Sequence, residues 1–99
     1  METRRVVCQL WYESERGWGR RSDGFSLHLT PGSHKGYLTD YTKDRTGPAP
    51  DEYDAPEGSP FTVEVTEEIF QKLVKAGNGS IRSWAKGNDL HPNGTVKVV

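Results

Sequence analysis

Apolar and polar positions alternate from Arg5 to Tyr12. Val6, Cys8, Leu10 and Tyr12 fall on one side, and Val7, Gln9 and Trp11 on the other. A period of two predicts a strand, and Trp11 makes its second face partly apolar. Phe25, Leu27 and Leu29 alternate with Ser26, His28 and Thr30. This predicts a second strand over 25–29, with Phe25, Leu27 and Leu29 inward and Ser26 and His28 outward. Residues 13–24 between them read as a loop, with Ser22-Asp23-Gly24 as a turn. The loop is long beside the roughly two to five residues usual in hairpins.

The period then lengthens. Thr30, or Ser33, caps a helix with Pro31 at its first position, running to about Lys43. His34, Tyr37, Leu38 and Tyr41 form its stripe, at spacings of three and four. Glycines and threonines make this helix weak in isolation, so packing must hold it. Residues 46–60 carry four prolines and four acids without a base. Helix and strand are both disfavoured there, and an extended loop is expected. Phe61, Val63 and Val65 mark a third strand. Thr66 caps the clearest helix, Glu67 to Ala76, with Ile69, Phe70, Leu73 and Val74 as its buried stripe and Gly77 closing it. The tail holds Ile81, Trp84 and Leu90 and ends on a short apolar strand over 95–99. The order predicts an α+β fold: one domain over 1–99, with a small, mostly antiparallel sheet of about four strands, packed by two helices on one face.

Composition sharpens this picture. In a chain of 99 residues, 32% are apolar, so the core is thin. A homo-oligomer is expected, with Trp11 and Trp84 as exposed aromatic surface. Charged residues are nearly balanced at a net charge of −1, which argues against bulk nucleic-acid binding. No run is long and apolar enough to span a membrane. Met1-Glu2-Thr3-Arg4-Arg5 lacks an apolar signal core, and a cytoplasmic protein is expected. A single cysteine, Cys8, leaves no intramolecular disulfide and no cysteine-cluster metal site. Inside an apolar run, it reads as a buried structural thiol.

Chemistry concentrates in Arg16-Gly17-Trp18-Gly19-Arg20-Arg21. Arginine offers a planar fork matching phosphate or carboxylate. Trp18 offers a stacking face for a base, and Gly17 and Gly19 let backbone N–H groups approach an anion. The plainer reading is a solvated loop pinned by Trp18, with its arginines paired to Glu13, Glu15 and Asp23. Gly-x-Gly occurs once with no helix after it, so this is neither a phosphate loop nor a dinucleotide fingerprint. Ser26 and His28, with Tyr37 and Tyr41, are the remaining candidate ligand-binding positions. The tyrosines also read as core. His28, His34 and His91 lack metal-ligand spacing, no cofactor is implied, and a Ser26–His28–Asp23 triad lacks a nucleophile elbow.

The string from Glu15 through Arg16-Gly17-Trp18-Gly19-Arg20-Arg21-Ser22-Asp23-Gly24-Phe25-Ser26-Leu27 to His28 resembles a signature of small uncharacterised proteins of bacteria and their phages. Pro50-Asp51-Glu52-Tyr53 and the stretch from Phe61 to Glu68 are similar in that group, and the resemblance covers residues 6–75. It implies an accessory role, including phage counter-defence in the host cytoplasm, and it assigns no site residue. The expected function is a non-catalytic binder of a small anionic, nucleotide-like ligand. In a phage this would be a sponge for a host immune signal such as a cyclic nucleotide or an ADP-ribose derivative. The alternative is an inhibitor docking on a host enzyme through the acidic segment 51–57 or a sheet edge.

Overall fold

The computed structural model describes residues 3–15, 17, 19–42, 52–83 and 96–98. The elements are β1 (Thr3–Glu15), β2 (Gly19–His28), α1 (Pro31–Thr42), β3 (Glu52–Thr66), α2 (Glu67–Lys75), β4 (Ser80–Ser83) and β5 (Val96–Val98). The strands form one antiparallel sheet in the order β4-β2-β1-β3-β5. The α+β class holds, with β4 as a strand the hydrophobic pattern does not announce.

The core follows from the period of two. Val6, Cys8, Phe25, Leu27, Val63 and Val65 line one face, and Leu73 of α2 closes over them. Leu10, Leu29, Phe61, Ile69, Phe70 and Ile81 pack around this cluster. Thr66 caps α2 through its hydroxyl, which accepts the Ile69 N–H at 3.4 Å. Val74 departs from the expected stripe. It is 51% exposed, because the arc of α2 that meets the sheet is centred on Leu73.

The two helices cover opposite faces of the sheet, not one. Strand alternation turns Ser26 and His28 away from Phe25 and Leu27, and α1 lies over that second face through His34 and Tyr37. The Thr30 hydroxyl accepts the Ser33 N–H at 3.0 Å, which settles the capping residue of α1. Trp11 is fully buried here, so it is not exposed interface surface. Trp84, the other aromatic behind the oligomer expectation, lies outside the described residues.

Residues 13–24 are not a long loop. β1 and β2 continue to the pair Glu15↔Gly19. Gly17 and Gly19, at φ 86° and 83°, supply left-handed geometry at the turn. Ser22-Asp23-Gly24 belongs to β2, where the register shifts opposite Trp11 and Gly24 has φ 86°, a bulge rather than a turn. The stretch expected as an extended loop is a strand from Glu52 onward, paired with β1 as far out as Glu15↔Glu52. Pro56 and Pro60 are tolerated because β5 pairs only with Val63–Val65, which leaves residues 52–62 an outer edge among the described residues. The outer parts of β1, β2 and β3 thus make a three-stranded arm on a molecule 46 Å long and 19 Å thin.

Candidate functional site

The expected ligand residues fall into two places. Arg20 and Arg21 lie at the arm tip, while Ser26, His28 and Tyr37 lie beneath or on α1. Arg20 and His28 are roughly 25 Å apart at about 3.3 Å per residue of β2. Arg16, Trp18 and the Tyr41 side chain lie outside the described residues, as do His91 and the Tyr53 side chain.

Register gives the arm two unlike faces. Tyr12↔Ser22 and Ser14↔Arg20 put Tyr12, Ser14, Arg20 and Ser22 on the face continuous with Leu10 and the core. Glu13↔Arg21 and Glu13↔Asp54 put Glu13, Arg21 and Asp54 on the other, with Glu15. On the first face the exposed Arg20 guanidinium lies 4.6 Å from the centre of the half-buried Tyr12 ring. That cation–π contact orients the charge without neutralising it. Among the described residues Arg20 has no carboxylate partner. On the second face Arg21 bonds Glu13 at 3.0 Å and approaches Glu15 at 3.9 Å. The pairing of arginines with nearby acids, weighed for the whole loop, thus holds for Arg21.

Deeper on that second face, Arg82 of β4 reaches across to Asp23 at 3.4 Å and Asp54 at 3.3 Å, and donates to the Asp23 carbonyl at 2.8 Å. Its guanidinium also lies 4.6 Å from the centre of the Trp11 ring. Glu13, Asp23 and Asp54 bring carboxylate oxygens within 4.8 Å of one another. Arg82 supplies the counter-charge, so this is an ion-paired brace across four strands. Burial, then a hydrogen bond and charge repulsion from Asp54, push the Asp23 carboxyl above the usual range, against the pull of Arg82 and Arg21. Nothing in the sequence pattern marks Arg82, which lies in an unpredicted strand.

Under α1 the buried polar groups are connected. The Trp11 indole donates to Ser26 Oγ at 2.7 Å, Ser26 Oγ meets His28 Nε2 at 2.8 Å, and His28 Nδ1 meets Ser80 Oγ at 2.7 Å. His34 Nε2 meets Gln9 Oε1 at 2.9 Å, and its ring centre is 5.0 Å from that of His28. The Gln9 amide donates to the carbonyls of Leu10, Glu57 and Gly58 at 3.0–3.2 Å. These lie where β3 slips register between Cys8↔Phe61 and Leu10↔Glu57, so Gln9 satisfies groups that the ladder leaves open. Tyr37 packs edge-on to Trp11 with ring centres 5.8 Å apart.

Ser26 and His28 do not point outward to solvent. Both are fully buried. No triad with Asp23 forms, because His28 Nδ1 is engaged by Ser80 and the Asp23 carboxylate by Arg82. A cleft of about 210 Å³ lined by Val7, Pro31, His34, Pro60, Phe61 and Thr62 opens beside this layer. Among the described residues no helix is long and apolar enough to cross a membrane. No protein-family model, curated protein or solved structure matches the chain.

Proposed function

We propose that the protein is a non-catalytic binder of a small anionic, nucleotide-like ligand, engaged by the arm face that carries Arg20 and Tyr12. The observation behind this reading is the unequal fate of two adjacent arginines. Arg21 is neutralised by Glu13 and Glu15, while Arg20 is held over a tyrosine ring with no acid beside it among the described residues. A guanidinium braced on an aromatic ring offers an anion a charge-assisted, forked hydrogen bond and offers a base a flat neighbour. Arg16 and Trp18 adjoin this face in sequence and complete the proposed ligand set. Ser26, His28 and Tyr37 belong on this reading to the packing of α1. In a phage such a protein serves as a sponge for a host signal, and a homo-oligomer would set two such faces together.

The second reading is an inhibitor that docks on a host enzyme through the arm. It is favoured by the outer edge of residues 52–62, which pairs with β1 alone among the described residues. Pro56 and Pro60 each lack an N–H, so docking would use side chains rather than an added strand.

Incubation with a nucleotide panel followed by heating separates these roles. A sponge releases its ligand unchanged, an enzyme releases product, and an inhibitor captures no ligand. Recovery of one intact nucleotide is the expected result, and recovery of none overturns the ligand reading.

A further inference from the structure

We infer that α1 is held on the sheet by a proton-sensitive latch, in which a directed hydrogen-bond chain through His28 closes only while the buried His28 imidazole is neutral. Protonation of His28 is then the event that releases α1 while the core stays closed.

The direction of each bond follows from its partners. The Trp11 indole N–H only donates, so Ser26 Oγ accepts it and turns its own hydrogen to His28 Nε2. That nitrogen is therefore unprotonated, and the ring carries its proton on Nδ1, which donates to Ser80 Oγ. Ser80 passes its hydrogen to the Ser33 carbonyl in the first turn of α1, at 3.5 Å. Next to it, His34 Nε2–H donates to Gln9 Oε1, a group that only accepts. Each donor in this chain has an acceptor.

A second proton on His28 breaks the order. It would sit on Nε2, facing a serine that must then turn its hydrogen away, and among the described residues Ser26 meets no other acceptor. The surroundings offer the new charge no help. α1 contributes His34 and Tyr37, β1 contributes the neutral Gln9 and Trp11, and β2 contributes Ser26. β4 contributes Ser80 and the cation Arg82, which already engages Asp23 of β2 and Asp54 of β3. Among the described residues neither histidine has a carboxylate partner. Burial pulls His28 down to about 4, helped by the charge of His34, and burial also lowers His34.

α1 is the part that yields, because the apolar cluster lies on the other face of the sheet, closed by Leu73 of α2. α1 instead rests on the polar layer, and its glycines and threonines give it little helix stability of its own. Release of α1 leaves the Val6–Leu73 cluster covered.

Two measurements on the intact wild-type chain test this. Long-range proton–nitrogen spectra at pH 7 should show His28 as the Nδ1–H tautomer and His34 carrying its proton on Nε2. Hydrogen exchange read by mass spectrometry, corrected for the intrinsic pH dependence, should show segment 31–42 losing protection by about tenfold or more between pH 7 and pH 5. Segment 67–75, limited by global unfolding, should stay better protected than 31–42 at both pH values. His28→Gln, an uncharged donor and acceptor, should remove the pH effect on 31–42. An Nε2–H tautomer at His28, pH-independent exchange of α1, equal protection of the two helices at pH 5, or an unchanged pH effect in His28→Gln overturns the latch. If His28→Gln does not fold, the two wild-type measurements decide.

Discussion

Gln9 and His34 are 25 residues apart in the chain and joined by a 2.9 Å hydrogen bond in the fold. Through that bond a glutamine that fills a slip in the β1–β3 ladder also pins the first turn of α1. Gln9→Leu removes the acceptor of His34 and the donor to Glu57 and Gly58 while keeping most of the volume. A buried polar group left alone costs about 1–3 kcal/mol. Urea unfolding of Gln9→Leu should show a loss above about 2 kcal/mol. A loss within about 0.5 kcal/mol, the range of an ordinary surface change, would mean that water satisfies these groups instead.

Leu73 and Val74 are neighbours on α2 with opposite exposure, 0% and 51%. Leu73→Ala should destabilise by about 2–5 kcal/mol, a large share of the stability of so small a domain. Val74→Ala should stay within about 0.5 kcal/mol of wild type. Thermal melts of the two variants side by side check which arc of the helix is core. Equal shifts would contradict the packing described.

Much of this core is legible in the sequence, because Val6, Cys8, Phe25, Leu27, Val63 and Val65 repeat at a period of two and Thr66 announces the helix that covers them. The arm is not legible for a physical reason. Glu13–Glu15 and Arg20–Asp23 are polar or charged on both faces, so no alternation marks them, and backbone pairing to β1 holds β2 and β3 in place. Pro56 and Pro60 argue against a strand unless its outer edge is known to be open. His28 reads as outward because its strand face carries serine and threonine. Only the docking of α1 turns that face inward, where Gln9, Ser26 and Ser80 become its partners. The division of Arg20 from Arg21 depends on register, which a loop reading of 13–24 erases.

The pH dependence of stability should carry the sign of a depressed histidine. His28 falls from its ordinary 6.5 to about 4 in the folded chain. Between those values the unfolded chain binds the extra proton and the folded chain does not. Stability should therefore be full above about pH 6.5 and decline as the pH falls toward 4, by roughly 3 kcal/mol across the window. Urea midpoints at pH 7.5, 6.0 and 5.0 read this before the carboxylates titrate. A flat profile down to pH 5 would contradict the burial of a neutral His28.

Cys8 is fully buried, and burial pushes its thiol up to about 12. A thiolate is the reactive form, so native protein at pH 8 should react with an aromatic disulfide reagent only as fast as it opens. One thiol per chain should appear on denaturation. Rapid stoichiometric labelling of the folded chain would place Cys8 at the surface.

On the proposed function, Arg20 binds the ligand and Arg21 does not. Titration calorimetry of wild type, Arg20→Ala and Arg21→Ala with the nucleotide recovered from the panel tests it most directly, with a thermal melt of each variant. Both variants should melt within about 0.5 kcal/mol of wild type, because Arg20 is itself exposed above the half-buried Tyr12 ring and exposed pairs such as Arg21–Glu13 contribute little. Arg20→Ala should lose about 1.5–3 kcal/mol of binding, about tenfold to a hundredfold in affinity. Arg21→Ala should bind as wild type does. Undiminished binding by Arg20→Ala, or an equal loss in both variants, would contradict the account.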